Sequence, residues 1–323
     1  MKASYYTKYG SSDVLEIKEI PKPQPGDKEI LVQVYAATVN RTDCAMLTAE
    51  LWIMRLLTGL NSPKNPVLGT DFAGIVVDIG KKVTRFKPGD RIFGFDDMGL
   101  SSHAEYLCLS ENKAIGHIHE SMSFETAAAL SEGAHYAYNF INKIDIKEGD
   151  HILVNGGTGA IGSAAIQLLV HYGAVITATC RKEHSDLVLQ LGATQTINYE
   201  EEDFTQKEFQ YNYIFDMVGK STFYKCKKIL KPRGIYLSSE LGPYAQNAFL
   251  AFWDLFSNGK NVKFPFPSNP QASINLINQL AKQEAFKPVI DKTYPFNQIK
   301  QAFEYVLSAN KVGNVVIRIN TDE

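Results

Sequence analysis

The stretch 152–162, I-L-V-N-G-G-T-G-A-I-G, leaves this chain few folds to choose from. Residues 152–155 form a short apolar run of the kind a buried strand uses, and 163–172 carry the apolar spacing of a helix packed on a sheet. Between them Gly157, Gly159 and Gly162 spell G-x-G-x-x-G. The first glycine permits a tight turn and the second lets a pyrophosphate reach bare backbone. The third lets the helix sit close to the strand. The helix start, Ala160 and Ile161 included, then offers free N–H groups and the positive end of its dipole. The glycine spacing alone is a weak signal. The strand before it and the helix after it make it an expected dinucleotide cradle.

The surrounding pattern extends this unit. Residues 174–179 read as a second strand, 188–199 as a third unit, and 213–219 and 233–239 as further buried strands. Alternating strands and helices over about 150 residues predict a doubly wound parallel sheet. Dinucleotide folds that prefer NAD place an acidic residue at the end of the second strand, about 20 residues after the glycines, to grip the ribose 2′-hydroxyl. Here that place reads Thr179-Cys180-Arg181-Lys182. Two cations stand where a 2′-phosphate would lie, so NADPH is the expected cofactor. The alternative is that Arg181 and Lys182 are ordinary solvated charges, since Glu183 follows directly.

Residues 1–120 read differently. Alternating runs at 14–20 and 29–39, and further strands at 72–79 and 91–95, are separated by the turn-rich connectors 21–26 and 87–90. This spacing predicts a small, partly open β-barrel. The apolar segment 49–57, ended by Gly59, reads as either a core helix or a cleft wall presenting Trp52 and Met54. Helices are expected at 123–130 and 133–141, and an amphipathic one at 273–282. Segments 288–295 and 298–307 return the chain to the first domain. The predicted division is 1–120 with 270–323, and 121–269 inserted between them. A cleft between the two is the expected active site.

Composition narrows the function classes. The 323 residues are 45% apolar and carry a formal charge of -2, so no basic stripe points to nucleic acid. No run approaches the roughly 20 apolar residues of a membrane span. The first ten residues lack an apolar signal core, which predicts a cytoplasmic protein. Cys44, Cys108, Cys180 and Cys226 form no C-x-x-C pair and read as reduced thiols.

Several short motifs then share one order: Val39-Asn-Arg-Thr-Asp43, the run 66–80 around Gly69-Thr-Asp71, the run 86–94, His103-Ala-Glu-Tyr106 and Gly313-Asn-Val-Val-Ile317. Together they resemble the medium-chain dehydrogenase/reductase superfamily, closest to its zinc-free, zeta-crystallin-like quinone oxidoreductase branch. The resemblance implies an α/β protein with a GroES-like partly open β-barrel domain and a Rossmann domain. It implies that Asn40, His135, Val218, Ser238 and Asn314 line the cleft and that Tyr199 neighbours the adenosine phosphate. His135 stands where threonine is common, and Asn314 where lysine is common. In the family, the strand that includes the region after 248–256 pairs across a dimer axis, which implies a homodimer; plain core is the alternative reading of that apolar segment.

The metal decides the chemistry. Zinc members of the superfamily carry a cysteine before the H/R-T-D run and a histidine in G-H-E; this chain has Asn40 and Thr70 there. An amide and a hydroxyl are poor zinc ligands. The four-cysteine structural lobe is missing, and His117 and His119 have no third ligand near them in sequence. The expectation is a reductase without metal, transferring hydride from NADPH to a small electrophile, a quinone or an α,β-unsaturated carbonyl. Asn40 is the expected stabiliser of the developing enolate, with the proton coming from water. The resemblance implies a cleft tyrosine after the Asn40 position in the superfamily's enoyl-thioester reductases; none lies between Asn40 and Asp71 here, which disfavours that reading. An NADPH-binding redox sensor without turnover and an alcohol or aldehyde oxidoreductase are the alternatives.

Overall fold

The computed structural model describes residues 1–50, 52–238 and 259–320. It divides into two compact units, Met1–Glu132 with Asn269–Glu323, and Gly133–Ser268. The chain passes from one unit to the other inside the helix Glu132–Ile141, twelve residues beyond the division at 120 expected from sequence. The helix Phe124–Ala128 belongs to the first unit, where Phe124 stacks on Tyr35 with ring centroids 4.5 Å apart.

The second unit is built on a parallel sheet, six-stranded among the described residues. Its order is Gln195–Asn198, Val175–Cys180, His151–Asn155, Tyr211–Asp216, Leu230–Ser238 and Asn261–Lys263. In chain order this is 3-2-1-4-5-6, the doubly wound arrangement. The order reverses beside His151–Asn155, so a crevice opens at the carboxyl end of that strand. Ile152, Leu153 and Val154 are fully buried, as expected of a central strand in a parallel sheet. The helix Ala160–His171 packs through Ala164, Ala165, Ile166, Leu168 and Leu169, all buried. Small residues near its start let it approach the sheet closely.

The first unit centres on the long strand Glu29–Val39. On one edge it pairs with Asp71–Ile79. On the other it pairs first with Tyr106–Ser110 and then, over Ala36–Val39, with Asn314–Arg318. The sheet continues through Arg91–Phe95 to Ala114–His117 on one side, and to the parallel strand Ile290–Pro295 on the other. No described pairing joins Ala114–His117 to Tyr106–Ser110, so the barrel stays partly open. Ile30, Val32 and Val34 point into one apolar cluster with Phe72, Val76 and Ile92; a second cluster joins Leu15, Leu47, Phe303 and Ile317. Each such fully buried side chain stabilises the fold by about 1.5–3 kcal/mol.

Two expectations change. The run 14–20 does not form one half-buried strand. Ser12–Val14 make a short turn of 3-10 helix, Leu15 is buried, and Glu16–Glu19 is exposed throughout. Among the described residues that strand pairs only with Lys2–Tyr5, in a two-stranded ribbon, and its alternating pattern meets no sheet or helix layer there. The segment 49–57 is also split. Ala49 ends the helix Arg41–Thr48 in a left-handed conformation, and a separate helix Trp52–Thr58 follows. Met54 packs on the second cluster, whereas Trp52, Leu56 and Leu57 are exposed. The segment is therefore neither a uniform core helix nor a uniform wall. The apolar run 248–256 lies outside the described residues. No helix among the described residues is long and apolar enough to cross a membrane.

Candidate functional site

In the second unit the glycine turn is tied to the strand beside it. Asn155 ends its strand with its amide turned inward: Nδ2 donates to Asp216 Oδ1 at 2.9 Å, and Oδ1 accepts from Thr179 Oγ1 at 2.7 Å. The Thr179 hydroxyl accepts Gly156 N–H at 2.9 Å, and its carbonyl accepts Gly157 N–H at 2.9 Å. Thr179 is fully buried, so it shapes the turn from beneath. A Cβ on Gly162 would lie 2.0 Å from Gly156 O, too close for any other residue. On Gly159 the nearest atom would be 3.9 Å away, so backbone there is open to a ligand. No side chain caps the helix Ala160–His171. Its first N–H groups are left for an anion, and the residues present fit a dinucleotide pyrophosphate. Val218 closes the other side, since a Cβ on Gly156 would meet its Cγ1 at 2.5 Å.

Asp216 is the organising residue that sequence reading missed. Its carboxylate also accepts Tyr236 O–H at 2.8 Å and Ser221 N–H at 3.0 Å. It thus holds three strand ends at the crevice. The available signal was a polar residue closing each of two apolar strands, Asn155 and Asp216. Ser238, at the end of the next strand, is buried and paired in register with Asp216.

At the end of the second strand the two cations differ. The Arg181 guanidinium has Nε 3.2 Å from Glu200 Oε1 and Nη1 3.9 Å from Glu183 Oε1, while Lys182 is exposed. Tyr199 N–H bonds Cys180 O at 3.3 Å, which brings its half-exposed ring beside Arg181. Arg181 and Tyr199 therefore converge, with an acidic partner already present. His135 is buried, lies 3.2 Å through Nε2 from Asn139 Nδ2, and burial pushes its pKa down to about 4.

In the first unit Asn40 is a helix cap. Its Oδ1 accepts Asp43 N–H at 2.9 Å and its own N–H donates to Asp43 Oδ2 at 3.1 Å, a reciprocal capping box for Arg41–Thr48. Its Nδ2 donates to Thr70 Oγ1 at 2.7 Å and to Thr38 Oγ1 at 3.3 Å. Both amide hydrogens and the carbonyl are thus already engaged. Asn40 and Thr70, which stand at the positions of zinc ligands in zinc members of the superfamily, are thus bonded to each other. Among the described residues no cluster of three or more His, Cys, Asp or Glu side chains could hold a metal ion. His117 ends an edge strand and His119 bonds Ser121 Oγ at 2.9 Å.

Around this cap lie buried acids. Thr38 donates to Asp71 through N–H at 2.6 Å and Oγ1 at 2.5 Å. Burial pushes both Asp43 and Asp71 up to about 7. Burial lowers His103, whose Nε2 lies 2.8 Å from Thr38 O and so carries the proton. Its 3.9 Å approach to Asp43 is accordingly a contact of a neutral ring. Glu132 is buried and accepts Thr42 O–H at 3.3 Å; Lys311 Nζ donates to Gly313 O at 2.6 Å. Val315 pairs with Val39, which sets Asn314 level with Asn40, but Asn314 Nδ2 is bonded to Val289 O at 3.0 Å.

The fold and these sites have known counterparts. Residues 26–139 match the alcohol dehydrogenase GroES-like domain, and 191–317 the zinc-binding dehydrogenase family. A 2-methylene-furan-3-one reductase of Solanum lycopersicum is 30% identical over 98% of this chain and 79% of its own length. An NADPH-dependent alkenal/one oxidoreductase of Arabidopsis thaliana chloroplasts is 29% identical over the same shares. The quinone oxidoreductase from Coxiella burnetii superposes with a TM-score of 0.87 at 25% identity, covering 99% of both chains. The chain belongs to the medium-chain dehydrogenase/reductase superfamily, in its quinone oxidoreductase branch.

Proposed function

We propose that the protein is a zinc-independent, NADPH-dependent oxidoreductase that reduces quinones or α,β-unsaturated carbonyls. The observation that carries this reading is the Asn40–Thr70 hydrogen bond, an amide and a hydroxyl satisfying each other where a metal would need a thiolate and an imidazole. With such donors the protein cannot polarise an unactivated alcohol through a Lewis acid, so its substrate must already be electron-poor. The names of the tomato and Arabidopsis relatives, a furanone reductase and an alkenal/one oxidoreductase, support that class.

In this reading Gly157, Gly159, Ala160, Ile161 and Gly162 hold the pyrophosphate, and Thr179 fixes their turn. Arg181, Lys182 and Tyr199 hold the 2′-phosphate, whose charge of about -2 competes with the exposed carboxylates of Glu200 and Glu183 for Arg181. Val218, Ser238 and His135, all in the second unit, form the nicotinamide end. NADPH, when bound, supplies the hydride. Asn40 acts through the groups it holds, presenting the Thr70 and Thr38 hydroxyls in fixed orientation. A discontinuous domain of 1–132 with 269–323, interrupted in sequence by a cofactor domain, remains part of the proposal. So do a homodimer and a cytoplasmic location, the latter resting on four free thiols suited to a reducing compartment.

The test is loss of NADPH absorbance against a panel of quinones, enones and aldehydes, with metal analysis of the purified protein. Turnover of quinones or enones with substoichiometric zinc is expected. NADPH binding with no turnover would establish the sensor reading instead, and zinc-dependent aldehyde turnover would overturn the proposal. Sedimentation at micromolar concentration checks the dimer.

A further inference from the structure

We propose that Glu132 and Thr42 form the proton-delivery pair of this reductase, an inference that rests on the reading above. Glu132 is 6% exposed and its carboxyl reaches one hydroxyl, that of Thr42, at 3.3 Å. Thr42 is half-exposed and sits in the first turn of the helix that Asn40 caps. A route from the buried carboxyl to the surface therefore passes through the Thr42 hydroxyl, two residues from Asn40.

The polarity of the pair depends on protonation. Beside a carboxylate, Thr42 O–H points inward to Glu132. Beside a carboxylic acid, Glu132 O–H donates to Thr42 Oγ1 and the threonine proton turns outward. Burial holds Glu132 well above the usual carboxylate range, opposed by the Lys311 cation and reinforced by Asp71, Asp43 and Asp97. Burial lowers Lys311 itself; Arg41 lowers it further, while Glu132, Asp291 and Cys44 raise it. The acid form, with its outward chain of donors, is the resting one. Once the proton leaves, the carboxylate that remains favours the charged form of Lys311, which burial otherwise opposes.

The chemistry balances. An enone gains hydride at its β-carbon as NADPH becomes NADP, and gains a proton at its α-carbon as the Glu132 O–H bond breaks. The C=C π bond is lost, and Glu132 recovers its proton from water through Thr42. A quinone needs this less. After hydride addition its oxygen anion takes a proton from water readily, whereas protonation of an enolate carbon is slow and profits from a placed acid.

The experiment compares turnover of 3-buten-2-one and 1,4-benzoquinone by full-length protein with NADPH. In Glu132→Gln the ratio of enone to quinone kcat is expected to fall by at least about tenfold. The wild-type enone rate falls as pH rises through the Glu132 pKa, and the variant loses that limb. Thr42→Val carries the same ratio test and decides the matter if Glu132→Gln does not fold. An unchanged ratio and an unchanged pH profile in either folded variant would overturn the pair. Wild-type protein that reduces neither probe would instead sink the reductase reading itself.

Discussion

Replacing Asn40 with alanine removes three side-chain hydrogen bonds at one buried point. The bond to Asp43 N–H is a helix cap, and losing it costs about 1 kcal/mol. The 2.7 Å bond to Thr70 leaves a fully buried hydroxyl without its donor, which costs about 1 kcal/mol more. The 3.3 Å bond to Thr38 adds less, because that hydroxyl keeps its bond to Asp71. The total is about 2–3 kcal/mol, a large share of the roughly 5–15 kcal/mol that holds a domain folded. In a unit of this size the melting temperature should fall by roughly 5–10 °C. Near-ultraviolet circular dichroism on heating measures it. Asn40→Ser keeps an acceptor for Asp43 N–H and should recover about 1 kcal/mol of the loss. If Asn40→Ala melts within about 1 °C of wild type, or serine is as costly as alanine, the network does not hold the site as argued.

Other outcomes follow from the same geometry. Arg181→Ala should raise KM for NADPH about 10–100-fold while leaving NADH nearly unchanged, the loss expected of a charge-assisted contact to the 2′-phosphate; equal effects on both cofactors in steady-state kinetics would refute that contact. Gly162→Ala forces a Cβ within 2.0 Å of Gly156 O, so the helix start must shift, and calorimetry should show NADPH binding at least about tenfold weaker. The folded pKa of Asp71, about 7, lies above its ordinary 3.8. The folded chain therefore holds the extra proton between those values, and this carboxyl's contribution to stability is lost as pH rises through about 7. Asp71→Asn cannot ionise, so its stability relative to wild type should rise between about pH 5 and 8, by up to roughly 2–3 kcal/mol in urea unfolding. A difference independent of pH would show that Asp71 does not titrate in that window.

What could be read in the sequence is what depends on near neighbours. The glycine turn was legible because steric demand, strand and helix all fall within about twenty residues. The strands at 29–39 and 91–95 were legible because their pattern and their burial coincide. The absence of an acid at 179–182 was legible as charge alone. Thr179 reads in sequence only as one residue of the run 179–182; that it also supports the turn through Asn155 and Gly156 needs two strands paired in register. Asp216 looked like any residue closing a strand until Asn155, Tyr236 and Ser221 converged on it. The helix Arg41–Thr48 went unread because its start was read as a family motif, although N-x-x-D at 40–43 is also a capping box.

The sequence by itself determined the two kinds of fold, the dinucleotide turn and the poor donor set at Asn40 and Thr70. Each follows from residue chemistry and local period, which act without knowledge of distant partners. Only the tertiary structure decided that Asn40 and Thr70, 30 residues apart, satisfy each other, and that Glu132 is buried against Thr42, 90 residues away. An acid at the start of a helix reads as a dipole partner from sequence. Burial is a property of everything packed around it, and burial is what turns that carboxylate into an acid.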